Sequence, residues 1–238
     1  MTEQSATQRA WRTVLERIEA DLLDGALSPG DRLPSERDLA ADLGVGRSSV
    51  REALRVLEVM GLIRTATGSG PQAGAIVISA PSGGMATLLR LQVAAQGFAL
   101  TDVIHTRLVL EGAIVAHLSA DPRRDLSAVR AALQAMDAPD LSAREFLALD
   151  GELHFALAQA SGNTVIAAMM AGLRTAIESY VLTGAERIDD WEGMASRLRA
   201  EHHAIVDAVE HGDGDARRLV RAHITGYSAA AGLLPDAP

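Results

Sequence analysis

Leu33-Pro34-Ser35-Glu36-Arg37-Asp38-Leu39-Ala40-Ala41-Asp42-Leu43-Gly44 is the stretch on which the fold of this chain turns. Ser35 is a natural N-cap with Asp38 three residues on, close to a capping box, and Gly44 is a natural stop. The spacing predicts a helix of about two turns. Across the short Gly44-Val45-Gly46 connection, Ser48 to Met60 reads as a second helix that buries Val50, Ala53, Leu54 and Leu57. Two short helices joined by a tight glycine turn are the helix-turn-helix pattern. Upstream, Trp11 to Leu23 places Val14, Leu15, Ile18 and Leu22 at helical spacing. Downstream, Leu62-Ile63-Arg64-Thr65 and Ala75-Ile76-Val77-Ile78 read as two strands around a Gly68-Ser69-Gly70-Pro71 tip, a wing.

The expected architecture is mainly α, in two domains. Residues 1–80 form a winged helix-turn-helix of three helices and a hairpin, 81–84 a small-residue linker, and 85–238 an all-α antiparallel bundle. Bundle helices are expected at 85–95, 100–120, 124–137, 142–161, 163–182, 190–211 and 213–232, with breaks at Gly97, Asp121-Pro122, Pro139, Ser161-Gly162, Gly184 and His211-Gly212. The composition agrees: of 238 residues 48% are hydrophobic, 22% charged and only 3% aromatic, so Leu, Val, Ile and Ala must build the core. The absence of cysteine excludes disulfides and thiolate metal sites. The polar Met1 to Ala10 shows no apolar leader, and Ala113 to Ala120 is too short for a membrane span and carries His117; a cytoplasmic location is expected.

Net charge is −9, which disfavours indiscriminate binding to nucleic acid. Residues 1–80 hold nine Arg against eleven acids, a net of −2, and every cation in the chain is Arg. A DNA reader built this way must gather its arginines on one face. Arg47 and Arg51, four apart, share such a face. Ser48 and Ser49 stand at the helix start, where hydroxyls and free N–H groups meet phosphate, and Arg37 is placed to join them. The alternative is a solvated face with Arg51 paired to Glu52 or Glu58.

Pro29-Gly30, Leu33 to Ala40, Leu43 to Arg47, Val50 to Leu54 and Gly61-Leu62-Ile63 closely resemble the DNA-binding domain of GntR-type regulators. That resemblance puts Arg37, Arg47, Arg51, Ser48, Ser49 and the wing glycine Gly68 at the family's DNA-contact positions. Gly46 departs from the pattern, which usually has Ser or Thr there.

In the helical half the histidines carry the signal. Asp150 and His154 are four apart and project from one helix face. His202 shares a face with Leu198, Ile205, Val206 and Val209 and points inward, whereas His203 shares one with Arg199, Asp207 and Glu210 and points to water. His223, flanked by Leu219, Val220 and Tyr227, also faces in. Singly each reads more readily as a satisfied core histidine than as a ligand. One Asp and three His converging from three helices suit Zn²⁺, Ni²⁺ or Mn²⁺, and spacing alone leaves both readings open. Arg107 lies on an apolar face with Val103, Ile104 and Ile114, so it needs an anion: either Glu111 or an effector carboxylate.

Asp150-x-x-x-His154, Ser161-Gly162-Asn163, Glu201-His202 and Arg221-Ala222-His223 resemble the ligand-binding domain of the FadR-type (FCD) branch. The resemblance implies metal ligation by Asp150, His154, His202 and His223. Arg107-x-x-x-Glu111 matches the family's Arg-x-x-x-Glu, which supports an effector role for Arg107; Asn163 is a helix cap and a second candidate contact. The reading is a homodimeric regulator of a palindromic operator, a repressor released by a small organic or sugar acid bound beside the metal. The rivals are a Zn²⁺ hydrolase with Glu152 or Glu201 as general base, and a sensor of the metal itself.

Overall fold

The computed structural model describes residues 3–66, 74–78, 82–95 and 97–233. It divides into two compact units, Met1–Met85 and Ala86–Pro238.

The first unit contains α1 (Glu3–Leu23), α2 (Glu36–Leu43), α3 (Arg47–Val59), β1 (Ile63–Ala66) and β2 (Gly74–Val77). Ser35 Oγ accepts from the Asp38 N–H at 3.2 Å and its hydroxyl donates to Asp38 Oδ2 at 2.6 Å, so α2 starts where the sequence places its cap. Gly44 takes φ 63° and turns its N–H back to the Ala40 carbonyl, a left-handed stop that any side chain would strain. Val14 and Ile18 of α1, Leu39 of α2 and Val50, Ala53, Leu54 and Leu57 of α3 close one core over Ile63, Ala75 and Val77. The hairpin is antiparallel, with Ile63 opposite Val77 and Arg64 opposite Ile76. Residues 31–33 pair along the free edge of β2, Val77 N–H donating to the Asp31 carbonyl and Leu33 N–H to that of Ala75. The glycine-rich tip lies outside the described residues.

The boundary falls within α4 (Ser82–Ala94), whose first turn takes up residues 82–84 that were expected as linker; the second unit is otherwise helical among the described residues: α5 (Leu100–Ala120), α6 (Ser127–Met136), α7 (Ala143–Ala160), α8 (Thr164–Ala185), α9 (Trp191–His211) and α10 (Ala216–Ala230). A full capping box starts α7, Ser142 Oγ accepting from the Glu145 N–H and Glu145 accepting from that of Ser142. The helix α5 runs through the middle and packs against α7, α8, α9 and α10. Its Ile104, Ile114, Val115 and Leu118 meet Phe146 and Leu153 of α7, Leu198 and Ile205 of α9 and Val220 and Ile224 of α10 in one cluster. By length and apolarity α5 and α8 both reach what a membrane crossing needs, contrary to the sequence reading. Both contribute instead to the bundle core, and α5 buries a charged pair there.

Other departures are local. The helix α1 begins at Glu3 rather than Trp11. The start of α10 moves to Ala216 because the Asp213 carboxylate takes the Asp215 N–H in a turn. Gly184 falls one residue before the end of α8, near the expected break, and a Cβ there would come within 2.7 Å of Ala231 Cβ. Gly172 plays the same part where α4 crosses α8: a Cβ there would lie 2.7 Å from Leu89 Cβ and 3.1 Å from Ala86 Cα. Neither is a flexible tip, so a methyl group must move the helix. Gly172→Ala is expected to destabilise the protein by about 1–3 kcal/mol through overpacking, despite its better helix propensity; a denaturant midpoint equal to or above wild type overturns this reading of the crossing.

Candidate metal centre and nucleic-acid interface

On α3, Arg47 and Arg51 stand exposed and converge on Glu36 at the start of α2, with Nη2 atoms 3.8 and 3.0 Å from Glu36 Oε2. The hydrogen bond from Arg51 holds the Glu36 carboxyl below its ordinary value. Glu36, and not Glu52 or Glu58, is therefore the partner of Arg51; Glu58 is engaged with the Thr65 N–H at 3.0 Å. Exposed pairs are weak because water screens them, so a phosphate or base edge competes well for these guanidiniums. Arg37 is exposed beside Asp38 at 3.3 Å. Ser48 is exposed, but Ser49 is 5% exposed and turns its side chain into the core. Gly68 lies outside the described residues. Gly46 is the N-cap of α3 and supplies no side-chain acceptor.

In the bundle, the structure brings Asp150 and His154 of α7, His202 of α9 and His223 of α10 together. One ligand-type atom from each lies within 4.8 Å of all the others, and all four residues are buried. His202 Nε2 is 3.0 Å from Asp150 Oδ1, His154 Nε2 is 3.8 Å from Oδ2, and His223 Nε2 is 3.9 Å from Oδ1. The Nε2 atoms of His154 and His223 are 3.3 Å apart. Close as it is, His202 Nε2 makes no aligned hydrogen bond, and neither does its Nδ1. An imidazole buried with unmatched nitrogens is costly, and donors converging on one point fit a shared cation better than they fit one another. Nitrogen and oxygen donors of this kind suit a divalent transition metal.

Two of the three nitrogens facing away from the cluster, those of His154 and His223, have a carboxylate behind them. His223 Nδ1 lies 2.9 Å from Glu201 Oε2. His154 Nδ1 lies 2.5 Å from Glu111 Oε2, and Arg107 Nε donates to the other oxygen of Glu111 at 2.5 Å. A proton held on Nδ1 leaves Nε2 with its lone pair toward the centre. Burial pushes His202 down to about 4, with His223 adding to it against Asp150, and burial also lowers His223. Both rings are thus neutral ligands near pH 7. Burial works to raise the Asp150 carboxyl, but His154 and His202 outweigh it and hold it well below the usual range. Burial likewise raises Glu111, and Arg107 with His154 brings it down to about 2.

Arg107 is 4% exposed; Glu111 occupies its Nε, while its Nη2 has no hydrogen-bond partner. Asn163 is exposed and caps α8, its Oδ1 accepting from the Val165 and Ile166 N–H groups at 3.1 Å each. His203 faces out with its side chain 46% exposed and meets Asp137, while His202 is fully buried. Glu152 is taken by Arg174, and Glu201 by His223 and Arg197, so neither stands free as a general base. Beside Arg107, Glu111, His154, Met170 and Ile177 there is space of about 20 Å³, room for one water.

A two-helix DNA reader joined to a helical domain with a buried ligand-type cluster defines a ligand-responsive transcriptional regulator. Residues 11–71 match the model of the bacterial regulatory proteins of the gntR family, and residues 102–226 match the FCD domain. LutR of Bacillus subtilis, a transcriptional regulator, is 31% identical over 210 residues, covering 85% of this chain and 92% of LutR. The transcriptional activator of the Glc operon of Escherichia coli is 29% identical over 219 residues, 89% of this chain and 84% of the activator. A GntR protein of Streptococcus agalactiae shares the fold, with a TM-score of 0.60 at 24% identity over 95% of this chain and 99% of that one. The chain belongs to the GntR family of bacterial regulators and carries an FCD effector domain; it is a regulator and not an enzyme.

Two expectations follow. Arg47→Ala and Arg51→Ala each weaken operator binding by about tenfold or more with little change in melting temperature, while Arg9→Ala, outside the helix-turn-helix, serves as control; a control that weakens binding equally removes α3 from the interface. His202→Ala lowers bound metal and melting temperature together, because binding to the folded state is linked to folding, and His203→Ala changes neither. Equal metal loss in both variants would falsify the assignment of His202 to the cluster.

Proposed function

We propose that this chain binds a two-fold operator as a homodimer in the cytoplasm and that a small carboxylate effector, held beside a divalent metal ion, releases it as a repressor. One short recognition helix reads few base pairs, which favours a palindromic site read by two copies. Arg37, Arg47, Ser48 and Arg51 supply the contacts to DNA, with Gly68 of the wing; Ser49, whose side chain is buried and whose N–H donates to the Gly46 carbonyl, instead holds the start of α3 in place.

The observation that carries the effector reading is the Asp150, His154, His202 and His223 cluster, whose His154 and His223 are each backed by a carboxylate. Zn²⁺, Ni²⁺ or Mn²⁺ would be held by these four residues and would supply a Lewis acid for an anionic ligand. Asp150, His154, His202 and His223 would hold the ion, and a 2-hydroxy acid would offer it a carboxylate and a hydroxyl as further oxygen donors. A relative in Escherichia coli, 29% identical over 217 residues, is named as a regulatory protein of the L-lactate dehydrogenase operon, which supports a hydroxy acid as the first candidate.

The test begins with metal content as purified and a thermal-shift screen of L-lactate, glycolate, sugar acids and short dicarboxylates, with and without chelator. Operator titration of each hit follows. A hit is expected to weaken operator binding through a coupling of about 1–3 kcal/mol, and operator to weaken binding of the acid by the same factor. Acid binding that persists undiminished after complete metal removal refutes the metal-assisted reading.

A further inference from the structure

Besides the histidine nitrogens, two buried groups near the cluster have no carboxylate or carbonyl to donate to. Arg107 Nη2 is one; the other is the hydroxyl of Tyr180 on α8, a residue 9% exposed. Burial raises the Tyr180 phenol, while the charge of the Arg107 guanidinium and its hydrogen-bonding contact work the other way, so the two groups lie within hydrogen-bond reach of each other. A buried polar hydrogen without an acceptor is costly, more so beside a charge, and two together are unexpected unless an acceptor arrives in function. Glu111 does not fill that part: it takes Arg107 through Nε and turns its second oxygen to His154. The other tyrosine of the chain, Tyr227, gives its hydroxyl to the Val181 carbonyl, which shows that an ordinary partner was within reach of such a group in this bundle.

We propose that Tyr180 is a specificity-determining residue of the effector site: its hydroxyl and Arg107 Nη2 together take the carboxylate of the acid. This rests on the metal-assisted carboxylate reading above. A carboxylate accepts from both donors at once, whereas a neutral ligand of the same shape leaves the guanidinium without an anion. With space for one water beside Arg107, an acid is admitted only if the wall moves, and α8 supplies Met170 and Ile177 to that wall. Tyr180 follows Ile177 by one turn and also lines a groove of about 400 Å³ with Val93 and Ala94 of α4 and Leu100 of α5. A shift of its ring toward an acid would therefore change that groove, which α4 also lines. Tyr180 thus reads the acid on one side and meets α4 on the other.

Tyr180→Phe keeps the ring and removes only the oxygen. In the metal-loaded full-length protein, L-lactate and the other acids of the panel are titrated by thermal shift and by the tyrosine ultraviolet difference band, alongside operator binding. The expected result is an acid affinity about tenfold to hundredfold lower in the variant, with metal content and acid-free operator binding unchanged. In wild type, bound acid is expected to perturb the tyrosine band, and the perturbation to vanish in the variant. A variant that binds acid as wild type does, or a wild-type tyrosine band untouched by bound acid, overturns the role of Tyr180 and leaves the carboxylate reading standing. If no acid binds wild type in either metal state, the carboxylate reading itself falls and takes this proposal with it.

Discussion

A carboxylate in the middle of an apolar bundle has to be matched by positive charge or by hydrogen bonds, and Asp150 imposes that demand on everything around it. Three imidazoles close over it from α7, α9 and α10, helices whose other inward positions are mostly apolar. Burial makes His202 and His223 poor proton acceptors, so as neutral rings they bring lone pairs that do not match the charge of Asp150, and the set as a whole calls for a shared cation. The charge is then carried outward in a chain: His154 leans on Glu111, and Glu111 on Arg107. Removing any one member leaves a buried charge or an orientation unsupported, and for this reason the polar centre and the packing of five helices cannot be separated.

The same logic runs at the surface of the first unit with opposite economics. Glu36 faces two arginines in a solvated setting, where the pair is weak and readily exchanged. Its use is arrangement. A chain with net charge −9 cannot rely on its overall field to attract a duplex, so the arginines it has must be held on one face before DNA is met.

Most of the fold was legible because it is written locally. Ser35, Gly44, Ser142 and Gly212 mark helix ends through their own backbone chemistry, and the 3.6 period alone separated the buried His202 from the exposed His203. The four inward ligand-type residues could be drawn from the same period. The residues behind them could not: Glu201 on α9 serves His223 on α10, and Glu36 on α2 serves Arg51 on α3, pairings set by how helices pack. Tyr180 was invisible for the same reason, since a tyrosine on an apolar helix face reads as core. Gly184 marks a helix end as expected, α8 stopping one residue after it, and is in addition a point of close approach that the sequence did not reveal. Ser49 misled, because adjacent positions at the start of a helix point about 100° apart and only Ser48 faces out.

The four clustered residues come from α7, α9 and α10, whereas the wall beside them formed by Met170, Arg174, Ile177 and Glu178 comes from α8. Under the function proposed above, the donor set and much of the wall that selects the ligand would thus lie on different segments of the chain. Substitutions along one face of α8 can retune which molecule fits while the inner donors stay constant, and a lineage of such proteins can diversify in what it senses without reinventing how it holds the ligand. The Ala- and Gly-rich run of α8, seated against α4 at Gly172, sets the limit on that freedom: innovation is open on the face turned to the pocket and closed on the face turned to its neighbour.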